Sequence, residues 1–301
     1  MSLFDSLPNF LIIGAAKAGT TTLFDLLKQH PQVYLPFNKE PMFFNYDDNY
    51  RRGLEWYSRT FFRRAAPNLA RGEATPHYLY WSDKVAPRIR QVYAQAPIKF
   101  LVIFRDPVGR AYSWYWNMVK EGREELPFDA ALEREPRELL EHLGILRQAG
   151  AMTYGYVRGS CYASALQPFL DHFARQDFLF LLQEDLVNDF SATVPKLLEF
   201  LNLDPAILLR PVSSNQATMP RSRRVQSWLR GQSGFRDLLK ELIPLQLRLT
   251  IKTSLLQANT RLAAYPPLDP VIAAELRARF APEVRRLEDV IDRDLSAWLP
   301  Q

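Results

Sequence analysis

The chain has 301 residues, 47% of them hydrophobic, which is enough to bury a sizeable core. Its single cysteine, Cys161, excludes an internal disulfide framework and fits a reducing, cytoplasmic setting. A net charge of +5 with interleaved acidic residues favours an anionic ligand without calling for nucleic acid, and neither a signal peptide nor an apolar run of about 18 residues that would span a membrane is expected.

The first element is an apolar strand, FLII at 10–13, which runs into GAAKAGTT and a helix beginning near Thr20. This turn nearly spells the Walker loop G-x-x-x-x-G-K-[ST]. Gly14 and Gly19 have the required separation and Thr21 fills the last position, but Thr20 stands where the lysine belongs and Lys17 sits inside the loop. The turn still makes a phosphate cradle. Small residues let the backbone come close, and a helix start points N–H groups and a positive dipole end at an anion.

FLVIF at 100–104 is the next strand. Asp106 is an N-cap and Pro107 a first helical residue, which leaves Arg105 at the carboxyl end of a strand, where open α/β sheets bind ligands. Ser113 lies two turns along that helix. An arginine offers a forked donor to phosphate and a serine a short hydroxyl donor. Residues 126–175 read mostly helical, and FLFLL at 178–182 is a third strand. From Arg221 onward the chain reads helical. Leu276, Phe280, Val284, Leu287, Ile291, Leu295 and Trp298 recur at helical spacing, with Pro282 dividing the stretch into two helices. Strands alternating with helices predict an α/β fold: a P-loop-like parallel sheet flanked by helices, with a helical C-terminal region, in a single domain over 1–301.

KAGTT at 17–21 matches, residue for residue, the 5′-phosphosulfate loop K-x-G-T-[ST] of sulfotransferases that use 3′-phosphoadenosine 5′-phosphosulfate (PAPS). RDPVGRAYS at 105–113 resembles the 3′-phosphate motif of that family, R-D-P-x-x-R-x-x-S. KEPMFFN (39–45), GEATPHYL (72–79), RGSCYASALQPFLDHF (158–173), QEDLVNDF (183–190) and RDLSAW (293–298) resemble further family segments in the right order. The resemblance spans nearly the whole chain and is nearest the bacterial and heparan-sulfate-type branch. One departure is Ala74, where many carbohydrate-sulfating relatives carry a lysine; it weakens any claim that the acceptor is a highly anionic sugar.

The resemblance implies PAPS as donor and adenosine 3′,5′-bisphosphate as product, held by Lys17, Ala18, Gly19, Thr20, Thr21, Arg105 and Ser113. Arg261, ahead of YPPL, is a candidate for a late cofactor loop; the basic run PRSRRVQ (220–226) is read either as lying near the cofactor or as a solvated face; Arg110 is expected to be structural. Lys17 would neutralise charge on the leaving phosphate. An alcohol acceptor also needs a base. Glu40 matches the glutamate that serves as base in the heparan-sulfate-type relatives, and Lys39 would keep it ionised; His77 and Glu73 are reserves. Tyr112, Trp114, Tyr115 and Trp116 are read as core packing with an acceptor groove as the alternative. The histidines are isolated from the cysteine, and the family needs no metal for catalysis. The acceptor stays open among small molecules, glycans and carrier-bound hydroxyls. Two rival readings remain: an ATP-dependent kinase or NTPase with a magnesium-binding acid in FLFLLQED, and a nucleotide-binding module without catalysis.

Overall fold

The computed structural model describes residues 6–66, 69–212, 218–220, 222, 260–262 and 264–300. Five strands form one parallel sheet in the order β2–β3–β1–β4–β5: β1 Phe10–Gly14, β2 Val33–Tyr34, β3 Ala70–Ala74, β4 Lys99–Phe104 and β5 Phe178–Leu182. Helices pack on the sheet, and helix also fills 270–291 near the C-terminus, as the sequence predicts. The three apolar runs become β1, β4 and β5. Covered on both faces, they read as unbroken rather than alternating hydrophobic runs.

The sequence reading lacks β2 and β3. β2 has only two residues, and β3 is the polar run ARGEA, yet Gly72 pairs with Phe10 and Ala74 with Ile12. The chain runs from β1 out to β2 and β3, then crosses back to β4 on the other side of β1. The strand order therefore reverses at β1, and the carboxyl ends of β1 and β4 frame the crevice where such sheets bind ligands. Their pairing extends past the strand: Ala15 N–H donates to the Ile103 carbonyl at 2.8 Å.

The helix Pro107–Lys120 starts as expected. Asp106 accepts from the N–H groups of Val108 (3.3 Å) and Gly109 (2.9 Å), with Pro107 behind it. Residues 126–175 are mostly helical, as expected, in the helices Phe128–Gln148 and Tyr162–Leu170, with a nonhelical stretch and a short 3-10 turn between them. Two expectations need correction. Pro282 does not divide the late stretch, because one helix runs Pro270–Ile291 through it. A helical proline costs about 3 kcal/mol. Leu276, Phe280, Val284, Leu287 and Ile291 are all buried along this helix, at about 1.5–3 kcal/mol each, so packing outweighs the lost hydrogen bond. The helix ends at Asp292, in the left-handed region at φ 54°, so Leu295 and Trp298 reach the core from outside it.

The short strands β6 Thr218–Pro220 and β7 Thr260–Leu262 pair antiparallel, Met219 opposite Arg261. The rest of the helix expected from Arg221 up to 259, and most of the basic run PRSRRVQ, lie outside the described residues, as does the side chain of Arg261. Among the described residues no helix is long and apolar enough to cross a membrane.

Candidate active site

The loop after β1 is shaped by two glycines. A Cβ on Gly14 would sit 2.6 Å from Cβ of Leu79, so Gly14 lets the His77–Tyr80 turn pack onto the end of β1. Gly19 has φ 110°, a conformation L side chains rarely adopt, and precedes the helix Thr20–Leu27. That helix has no side-chain cap and no acidic residue in its first turn, unlike the helix capped by Asp106. An anion can take the place of the missing cap. Lys17 itself sits in the left-handed region at φ 70°. Its Nζ donates to Asn117 Oδ1 at 3.3 Å.

Arg105 leaves the end of β4 and donates from Nη1 to the Lys17 carbonyl at 3.4 Å, which couples the two predicted motifs directly. Ser113, one of the buried polar residues, lines the same cavity as Tyr265. The Tyr265 ring lies parallel to Trp116 at 5.6 Å, and Tyr112 donates its hydroxyl to the Pro266 carbonyl at 3.0 Å. Tyr112 and Trp116 thus hold the segment carrying Tyr265 against the helix of Ser113.

A second group forms around Glu40. The Glu40 N–H donates to the Ala74 carbonyl at 3.1 Å, which ties this segment to the carboxyl end of β3. Glu40 Oε1 accepts from Lys39 Nζ at 3.0 Å, and Oε2 lies 3.9 Å from His77 Nδ1. The Nδ1 atom of His77 has no hydrogen-bond partner among the described residues. Trp114 stands edge-on to His77 at 6.1 Å and donates its indole N–H to the Met152 carbonyl at 3.0 Å.

One cavity of about 1120 Å³ joins both groups. Lys17, Gly19, Thr20, Thr21, Arg105, Ser113 and Tyr265 line it together with Glu40, His77 and Trp114. Lys39, Lys120 and Arg123 add positive charge to its wall, and Glu121 negative charge. Burial, then the charges of Lys120, Arg105 and Lys39, push the Lys17 ammonium down from 10.5 to about 8. Burial also lowers His77, against the pull of Glu40.

Not every candidate reaches the cavity. Ala18 is wholly buried, and its N–H donates to the Ala15 carbonyl at 3.1 Å. Glu73 is also wholly buried, surrounded by hydroxyl donors, and burial pushes its carboxyl up to about 7. Arg110 is buried too and donates to the carbonyls of Gly155 (2.8 Å) and Tyr156 (2.6 Å), a structural role. Neither acid of FLFLLQED, Glu184 or Asp185, lines the cavity, and both carboxylate oxygens of Asp185 accept from Arg293, at 2.8 and 3.0 Å. That pair pins the C-terminal RDLSAW segment and removes the acid on which the kinase reading leaned. Glu138, Glu141 and His142 bring ligand atoms within 4.8 Å of one another on the helix Phe128–Gln148, apart from the residues lining the cavity.

Sequence reasoning missed Tyr265 and Asn117. Asn117 sits on the Arg105–Ser113 helix, one turn beyond Ser113, and that spacing was a usable signal; Tyr265 carried none.

A sulfotransferase domain model matches residues 7–226. Heparan sulfate glucosamine 3-O-sulfotransferase 5 of Mus musculus is 27% identical over 296 residues, 98% of this chain and 75% of the relative. Heparan sulfate glucosamine 3-O-sulfotransferase 6 of Homo sapiens is 34% identical over 197 residues, 65% of this chain and 52% of the relative. The crystal structure of a sulfotransferase from Alicyclobacillus acidocaldarius is similar with a TM-score of 0.69 and 28% identity, covering 97% of this chain and 98% of that one.

Proposed function

This chain belongs to the sulfotransferase family, and on that footing we propose that it transfers a sulfuryl group from PAPS to a hydroxyl acceptor and releases adenosine 3′,5′-bisphosphate. The observation that carries this reading is the single cavity shared by the Lys17 loop, the Arg105–Ser113 pair and Glu40. The residues present suit such a donor: an uncapped helix start, a lysine beside it, and an arginine and a serine hydroxyl for a second phosphate.

PAPS supplies a sulfuryl group joined to a phosphate leaving group. The first turn of the helix Thr20–Leu27 holds that phosphate with N–H and hydroxyl donors. Lys17 meets the negative charge that builds on it as the sulfur–oxygen bond breaks. Arg105 and Ser113 hold the 3′-phosphate. Glu40 takes the proton of the acceptor hydroxyl as the new sulfur–oxygen bond forms. The protein's task is alignment and charge stabilisation, as in phosphoryl transfer.

A glycan hydroxyl is the acceptor class we assign first. The relatives are named for a glucosamine hydroxyl, and the cavity wall of this chain carries the polar and charged side chains of Lys39, Asn117, Lys120 and Arg123, which suit a hydroxyl-rich acceptor. Labelled PAPS incubated with panels of glycan, alcohol and phenol acceptors tests the reading; label that never leaves the donor with any of them sinks it.

The 3′-phosphate assignment has its own test. Arg105→Ala weakens binding of adenosine 3′,5′-bisphosphate by about 1.5–3 kcal/mol, the worth of a hydrogen bond to a charged group. It affects adenosine 5′-phosphate much less. Titration calorimetry with both nucleotides reads the difference, and equal losses refute the assignment. Binding of ATP in preference to the bisphosphate would restore the kinase reading.

A further inference from the structure

The buried carboxylate of Glu73 takes no part in the chemistry above, yet it sits at the centre of a hydroxyl network. Its Oε1 accepts from Tyr57 OH at 2.8 Å and Tyr78 OH at 2.6 Å, and its Oε2 from Thr75 Oγ1 at 2.6 Å. Two of those hydroxyls face the catalytic segment. Tyr78 OH accepts from the N–H groups of Phe43 (3.1 Å) and Phe44 (3.4 Å), and Thr75 Oγ1 from that of Met42 (3.4 Å).

Each hydroxyl has one proton to give. In its ionised form, reached above about 7, the carboxylate only accepts, so it draws both protons to itself and leaves the lone pairs of Thr75 and Tyr78 for the N–H groups of 42–44. Burial and the Glu73 charge hold Tyr57 and Tyr78 well above the usual phenol range, so both keep the proton they donate. The held segment needs anchoring. Glu40 and Met42 adopt φ of 66° and 51°, a left-handed backbone that persists only where surrounding contacts enforce it. Together with the Glu40 N–H bond to Ala74, the next residue after Glu73, these hydrogen bonds tie the segment to residues 74–78.

We propose that Glu73 is a positioning residue: through Thr75 and Tyr78 it sets the backbone of 40–44 so that the Glu40 carboxylate faces His77 and the cavity. The proposal rests on the assignment of Glu40 as base but is tested apart from it. The reporter is His77, whose imidazole the Glu40 charge 3.9 Å away raises against the lowering by burial.

The experiment is an NMR titration of His77 in the full chain, its resonance assigned with His77→Gln. Glu40→Gln removes the neighbouring charge and calibrates the downward shift of the His77 pKa. Tyr78→Phe and Thr75→Val each remove one hydroxyl without changing charge, and Glu73→Gln removes the carboxylate at the centre. All three shift His77 downward, toward the Glu40→Gln value, while affinity for adenosine 3′,5′-bisphosphate is kept. Thr75→Val, nearly equal in size, removes only the Thr75 hydroxyl's bonds to Glu73 and Met42 and reports even where a larger change unfolds the chain. The proposal is overturned when Glu40→Gln moves His77 and the other folded variants leave it at the wild-type value. It is equally overturned when Glu40→Gln leaves His77 unmoved. Sulfate transfer by Glu40→Gln is read separately, so a wrong base assignment shows there and leaves the positioning result standing.

Discussion

Lys17→Ala lowers sulfate transfer by roughly 10²–10³-fold, the cost of removing one preorganised donor from the site of developing charge. Its effect on the affinity for adenosine 3′,5′-bisphosphate is much smaller. The asymmetry follows from when the charge appears. Negative charge grows on the leaving phosphate as the sulfur–oxygen bond breaks, so the ammonium acts more strongly on the transition state than on the bound nucleotide. The pH dependence separates a charge effect from loss of side-chain bulk. Burial and three neighbouring cations put the Lys17 ammonium near 8 in the free protein. It is therefore a cation below about 8 and loses its charge above, so wild-type kcat/KM for sulfate transfer falls as pH rises through that range. Lys17→Ala, with nothing to titrate there, lacks this step. Near-normal turnover in the variant would make Lys17 incidental to the reaction.

What could be read from the sequence, and what could not, follows from how far each feature depends on distant partners. Lys17 and Arg105 were legible because each lies in one strand–turn–helix span. Gly19, Asp106 and Pro107 set those turns locally, and the fold then brings Arg105 to the Lys17 carbonyl. Glu40 and His77 were legible only by resemblance. They meet because β3 pairs with β1 and the 40–44 segment hangs on residues 74–78, a long-range arrangement that no periodicity encodes. β3 was hidden for the opposite reason: Arg71 and Glu73 make ARGEA a polar run, yet both are buried. Arg71 donates to the Leu7 carbonyl at 2.9 Å, and Glu73 accepts from three hydroxyls. Tertiary partners overrode the polarity of the run. Pro282 shows the same override in a helix, where a buried face continued past a local breaker.

Glu40→Gln keeps the shape of the side chain and removes its basicity. Turnover with an alcohol acceptor falls by about 10²–10⁴-fold, the usual worth of a positioned base. Binding of adenosine 3′,5′-bisphosphate survives, because Arg105, Ser113 and the Lys17 loop hold the nucleotide. A phenol acceptor gives up its proton more readily and suffers less. The choice between Glu40 and His77 rests on their surroundings. The His77 side chain is 16% exposed and that of Glu40 34%. Burial disfavours an imidazolium at position 77, as its lowered pKa records, so a proton delivered there is held at a cost. Glu40 opens to the cavity, with Lys39 at 3.0 Å to balance the carboxylate. Taking up a proton there discharges a carboxylate rather than creating a buried cation. Steady-state rates with alcohol and phenol acceptors for Glu40→Gln and His77→Ala decide the matter. If Glu40→Gln keeps most of its activity while His77→Ala loses it, folded and still binding the nucleotide, then the proton goes to His77 and Glu40 serves only to hold the imidazole.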